Sequence, residues 1–233
     1  MAPRTPARGD RPADAAPTPF AGVPAQALTF YAQLEADNSK AWWVEHKPVY
    51  DAQVRAPMAA IVDTLAPQFG RPHVFRPNRD VRFGHDKSPY KTHQGAYCAP
   101  GDGGAYYVHV DADGFFAGGG IYAMARDQLA RYRRAVQEDL PGEALTRIVA
   151  DLVAAGYEIG GERLATRPRG VPADHPRLEL LRHKALSARL DWGTPGWLGT
   201  PRALDEVRSC WSGLRPLVEW IGTHVGESDL PRR

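Results

Sequence analysis

Apolar residues change period twice along this chain, from helical to alternating and back. From Ala25 onward, Ala27, Phe30, Tyr31 and Leu34 recur at helical spacing, and the Asp37-Asn38-Ser39 cluster ends that helix and caps a second one. The second helix starts at Trp42 and Trp43 and runs through Tyr50, Val54, Ile61, Leu65 and Phe69, with Pro48 and Pro57 expected to kink or divide it. Between His73 and Ala125 aromatic and β-branched residues dominate, and segments 81–83, 90–98, 106–110 and 115–122 read as strands. Asp111-Ala-Asp-Gly114 reads as a hairpin turn, because Asp and Gly tolerate positive φ. Two helices follow, one with Leu129, Tyr132, Val136 and Leu140 on its stripe, the other with Leu145, Ile148, Val149 and Leu152. Pro141-Gly142 is expected to separate them. Short strands at 157–159 and 184–190 bracket the irregular segment 167–176. A last helix carries Leu204, Val207, Trp211, Leu214, Val218 and Ile221, with a kink at Pro216.

Helices flanking a run of antiparallel strands predict an α+β fold: a central antiparallel meander with N-terminal, middle and C-terminal helices. Residues 1–24 are rich in Pro and Ala with little aliphatic bulk, so they are expected to form a disordered tail ahead of a single domain at 25–226 and a flexible end at 227–233.

Composition narrows the function classes. A chain of 233 residues with 43% hydrophobic content buries a real core, and its +2 charge and pI of 8.6 fall below the pI above about 9 of dedicated nucleic-acid-binding domains. Cys98 and Cys210 form no CxxC pair, which fits free thiols in a reducing compartment. No apolar run reaches the roughly 20 residues of a membrane span, and residues 1–24 lack a signal-peptide core. The cytoplasm is the expected location. Nothing in the sequence implies a cofactor, and it does not fix an oligomeric state.

Candidate chemistry concentrates in residues 76–93, where Arg76, Arg79, Asp80, Arg82, Asp86, Lys87, Lys91 and His93 crowd together. Charges normally spread over a solvated surface, so this density implies a site or a structural ion network. If residues 79–83 form a strand paired with 90–98, alternation sets Asp80 and Arg82 on one face and Lys91, His93 and Gly95 on one face of the partner. Arginine forks and compact lysine charges suit a phosphate or carboxylate. The expected ligand residues are therefore Arg76, Arg79, Arg82, Lys87, Lys91 and His93, joined by Arg169 from the irregular segment, with Asp80 and His93 as catalytic candidates. The competing reading has Asp80 and Asp86 neutralising the arginines to hold a loop.

The same stretch carries a resemblance. Arg79-Asp-Val-Arg-Phe followed by Asp86-Lys-Ser-Pro-Tyr-Lys-Thr-His93 resembles the signature of a widespread family of conserved hypothetical proteins, a domain of unknown function. The similarity extends over Asn38 to Tyr50, Tyr107-Val-His-Val110, Gly118-Gly-Gly-Ile-Tyr122, the turn from Pro168 to Pro176, and Leu181-Arg-His-Lys184. It implies one domain and assigns no activity, cofactor or catalytic residue.

Other motifs carry less. His85, Asp86, His93, His109 and Asp111 are metal-ligand types without an HExxH or paired CxxC arrangement, so no metal is expected. Gly118-Gly-Gly120 lacks the order of a phosphate loop and reads as close backbone approach or a bulge. Ser88 has no nucleophile elbow around it. Trp42, Trp43, Tyr50 and Trp211 sit at helical spacing and read as core, and segment 167–176 could fold over the charged cluster as a lid. Two function classes stay open. One is an enzyme or binding domain for a small anionic ligand, which is preferred. The other is a non-catalytic module for a protein or a nucleic-acid backbone, for which Tyr90, Tyr97, Tyr106 and Tyr107 would be the stacking residues.

Overall fold

The computed structural model describes residues 20–80 and 87–231. The expected strand at 81–83, together with Arg82, His85 and Asp86, lies outside the described residues. Helix α1 (Ala25–Ala36) buries Ala27, Phe30, Tyr31 and Leu34, the four positions its spacing selects. Ser39 caps α2 (Lys40–Val49) by accepting from the Trp42 N–H at 3.2 Å. The helix widens into a π-helical turn (Tyr50–Arg55) before α3 (Ala56–Phe69). Pro57 lacks the N–H that a regular α-turn would require there, and the turn absorbs that loss without a break. Gly70 stops α3 at φ +102°, where a Cβ would lie 2.3 Å from the Ala99 carbonyl oxygen.

Strands β1 (Arg71–Val74), β2 (His93–Ala99), β3 (Ala105–Asp111), β4 (Phe115–Ile121), β5 (Glu158–Gly160) and β6 (Leu186–Asp191) form one antiparallel sheet in the order β1-β2-β3-β4-β6-β5. With α4 (Arg126–Gln137), α5 (Asp139–Ala154), the short α6 (Leu178–Leu181) and α7 (Arg202–His224), the fold is α+β. Two expectations are corrected. Arg79 and Asp80, expected to open a strand at 79–83, lie outside any strand; β2 pairs with β1 through Ala96–Ala99, and Asn78 bridges Tyr90 ahead of it. Pro141-Gly142 does not separate α4 from α5. The break falls at Glu138, and Pro141 sits in the first turn of α5, where a missing N–H leaves no intrahelical bond unmade.

Packing also begins ahead of Ala25. Val23 is fully buried and its N–H donates to the Leu198 carbonyl at 2.8 Å, with Phe20 against the core.

One sheet face supports the helices. Ala96, Cys98, Val108, Val110, Phe115, Ala117, Leu186 and Ala188, all at 1% exposure or less, meet α1, α3 and α7. Trp211 of α7 is fully buried against Phe69 and Tyr106, and its indole N–H donates to the Tyr107 carbonyl at 3.0 Å. Cys98 and Cys210 are free thiols in this core, and burial pushes both up to about 12. Trp43, Tyr50 and Trp211 are core residues, with Trp42 packed against them.

Candidate functional site

Strand alternation gives the opposite face a different composition. His93, Gly95 and Tyr97 of β2 stand beside Asp111, His109 and Tyr107 of β3; beyond these lie Phe116, Gly118 and Gly120 of β4, then Asp191, Arg189 and Ser187 of β6. Above this face lies a cavity of about 650 Å³, walled by Phe75, Lys91, His93 and Tyr97 on one side and by Ser187 and Arg189 on the other. Tyr107, His109 and Phe116 form its aromatic floor, and Gly118 and Gly120 extend it without side chains. Gly120 has φ +135°, and a Cβ there would lie 2.2 Å from the Leu186 carbonyl oxygen. The glycine run is thus a place of close backbone approach that leaves room above the strand.

Flat groups run in series across the floor. The His93 and His109 rings stack at 4.7 Å, His109 and Phe116 at 4.4 Å, and the Arg189 guanidinium lies 5.1 Å from the Phe116 centroid. At the other wall the Lys91 ammonium lies 5.2 Å from the Phe75 ring and donates to the Arg76 carbonyl at 3.2 Å. Glu158 partly neutralises Arg189, with Oε2 2.9 Å from Nη2.

A hydrogen-bonded chain runs along β3. Tyr107 Oη lies 2.9 Å from His109 Nδ1, and His109 Nε2 lies 2.9 Å from Asp111 Oδ2. A carboxylate only accepts, so Nε2 carries the proton, and Nδ1 of the neutral ring accepts from the Tyr107 hydroxyl. Asp111 Oδ1 meanwhile accepts the Asp113 and Gly114 N–H groups, both at 2.9 Å. The hairpin turn therefore fixes the carboxylate that orients His109. Gly95 completes the arrangement, since a Cβ there would lie 2.3 Å from Tyr107 Oη.

Burial and neighbouring positive charge set the electrostatics. His93 is lowered to about 4, first by burial and then by His109 and Lys91, so it is neutral at pH 7. Burial likewise lowers His109, against the opposing pull of Asp111. Lys91 is lowered by burial and by Arg76 and Arg79. Burial raises Tyr107.

The predicted residues separate into groups. Lys91 and His93 line the cavity together, whereas Arg76 and Arg79 do not line it and act through their charge, both on Lys91 and Arg79 also on His93. Asp80, Lys87 and Arg169 do not line it, and Arg82 lies outside the described residues. None of residues 167–176 lines it either: Arg167 Nη1 turns back to the Val171 carbonyl at 2.8 Å, and Arg177 anchors the following chain on the Val136 carbonyl at 2.6 Å. Among the described residues no group of three or more His, Cys, Asp or Glu side chains is placed to hold a metal ion. Tyr90 and Tyr106 are core residues at 8% and 2% exposure, which leaves Tyr97 and Tyr107 of the four expected stacking tyrosines on the cavity.

Sequence reasoning missed Arg189, the floor role of Phe116, and the linkage of Tyr107 to His109. The signal for the last was present in Tyr107-x-His109-x-Asp111, whose alternation puts all three on one face. It also missed Asn38, which accepts the Tyr90 N–H at 3.1 Å and donates to its carbonyl at 3.0 Å while Trp43 stacks on the Tyr90 ring at 4.1 Å. That clasp fixes the strand leading into Lys91 and His93.

The architecture is that of an α+β domain with a cavity on the sheet face turned away from its helices. The chain belongs to the family described as Conserved hypothetical protein (DUF2461), whose model matches residues 26–220. No curated protein and no solved structure matches the chain. Among the described residues no helix is long and apolar enough to cross a membrane.

Proposed function

We propose that the cavity on the outer sheet face binds a small ligand with a phosphate or carboxylate group and a planar body, and that the protein acts on it in the cytoplasm. The observation that carries this reading is the pairing of two cations, Lys91 and Arg189, across an aromatic floor in one 650 Å³ recess. That volume lies within the range of small-molecule sites, about 300–1,000 Å³. Neutral His93 and Tyr107 add hydrogen-bonding groups without adding charge, and the fields of Arg76 and Arg79 on Lys91 favour an anion at that wall. A concave recess suits a small molecule better than an extended backbone, and the burial of Tyr90 and Tyr106 removes half of the expected stacking strip.

The test is a thermal shift with phenyl phosphate, inorganic phosphate and benzyl alcohol. Phenyl phosphate at 100 times its Kd contributes about 2.7 kcal/mol to native stability, which at about 2–4 °C per kcal/mol gives a rise of roughly 5–10 °C. Benzyl alcohol is expected to give little, and Lys91→Met or Arg189→Met to reduce the phenyl phosphate response. Equal responses to phenyl phosphate and benzyl alcohol, or none to either phosphate, would remove the anion-binding reading.

A further inference from the structure

Hydroxyl, imidazole and carboxylate stand in order on β3, with 2.9 Å between Tyr107 Oη and His109 Nδ1 and 2.9 Å between His109 Nε2 and Asp111 Oδ2. These are the roles of nucleophile, base and orienting acid that define a catalytic triad by geometry rather than by chain position. The imidazole is turned end for end relative to the serine-hydrolase arrangement, but the proton path is equivalent. Three independent features hold the geometry. Asp111 is pinned by two backbone N–H groups of the hairpin, His109 is clamped between the His93 and Phe116 rings, and Gly95 leaves the space that Tyr107 Oη occupies. Tyr107 and His109 both line the cavity. A hydrogen-bond chain needed only to stabilise the hairpin would end at Asp111, which already satisfies the turn.

We infer that Tyr107, His109 and Asp111 form a proton relay that makes the Tyr107 oxygen a catalytic nucleophile toward an ester or anhydride bound in the cavity. In the step, Tyr107 Oη forms a bond to the electrophilic centre while its proton passes to His109 Nδ1. The bond to the leaving group breaks and the leaving group takes the electron pair. The imidazolium, held by Asp111, then returns the proton to the leaving group; water next bonds to the centre as His109 takes its proton, the bond to Tyr107 Oη breaks with the electron pair on oxygen, and the imidazolium returns that proton to Tyr107. Lys91 and Arg189 line the same cavity and supply the positive charge that stabilises the reacting group. The relay does not depend on the ligand being an anion.

Benzenesulfonyl fluoride tests this without knowledge of the substrate: the tyrosine oxygen bonds to sulfur, fluoride leaves, and the sulfonate ester is mapped by mass spectrometry. Tyr122 is an internal control, since it stands at 94% exposure on the rim of the same cavity. Tyr107 is expected to label at least tenfold faster than Tyr122 at neutral pH. In His109→Gln the Tyr107 rate is expected to fall at least tenfold while Tyr122 is unchanged. Labelling of Tyr107 no faster than Tyr122 in the native chain overturns the relay, whether or not the variant folds. An unchanged Tyr107 rate in folded His109→Gln does the same. Competition by phenyl phosphate separates the two proposals. Rapid Tyr107 labelling that phenyl phosphate does not slow supports the relay and counts against anion binding, whereas a thermal shift without selective labelling does the reverse.

Discussion

The two faces of one sheet carry different kinds of residue. Successive residues of β2 and β3 send Ala96, Cys98, Val108 and Val110 into the helix layer and Gly95, Tyr97, Tyr107 and His109 to the opposite face. The first set is apolar, closely packed and fully buried. The second mixes rings, imidazoles and glycines, and its polar atoms are bonded to one another along the strand rather than to the core. Burial of the first set supplies the driving force for folding. On the second face Asp111 serves the hairpin turn, and Tyr107 and His109 are bonded to it in series.

The sharpest break of this contrast is in the helix layer. Trp211→Ala removes a fully buried indole together with its bond to the Tyr107 carbonyl, and a loss of about 3–5 kcal/mol is expected in urea unfolding. A smaller loss, about 1–3 kcal/mol, is expected for Gln94→Leu, because Gln94 joins the two faces: it accepts from Tyr50 Oη at 2.6 Å and donates to the Phe75 carbonyl at 2.9 Å, both of which the variant leaves without that partner. Tyr107→Phe removes a single hydroxyl on the cavity side, and about 1 kcal/mol is expected in the same measurement. A cost for Tyr107→Phe as large as that for Trp211→Ala would show that the relay is scaffolding.

Acid sharpens the contrast further. His93 is lowered from 6.5 to about 4 in the folded protein, so between those values the unfolded chain binds the proton and the folded chain does not. Its contribution is therefore fully present above about pH 6.5 and is lost progressively as the pH falls toward 4. His109 and His183, also lowered, act in the same direction. Unfolding free energy measured from pH 7 to pH 4 is expected to decline, and His93→Gln to flatten that decline. An identical slope in the variant would show that His93 is solvated.

Much of the fold was legible because its signals are local. Helices α1 and α7 follow from their apolar stripes, the β3–β4 hairpin follows from Asp111 and Gly114, and the shared face of His93 and Gly95 follows from alternation alone. What was not legible depends on distant pairing. The insertion of β6 between β4 and β5, which delivers Arg189 to the cavity, is set by packing across more than one helix. The clasp of Asn38 on Tyr90 pairs a helix-capping segment with a strand entry. Pro141 misled because a proline in a first helical turn and a proline between helices look alike without the backbone. The charged segment drew attention for its density, yet Lys91 and His93 are its only members on the cavity among the described residues. The rest of the site comes from β3, β4 and β6, where single polar residues sit inside apolar strands.

Amide chemical-shift mapping with phenyl phosphate tests the central claim most directly, because both faces report in one spectrum. The largest perturbations are expected at His93, Tyr97, Tyr107, Gly118, Gly120 and Arg189, with α4 and α5 unchanged. Perturbations centred on the helix layer, or none at saturating ligand, would contradict a ligand site on the outer sheet face.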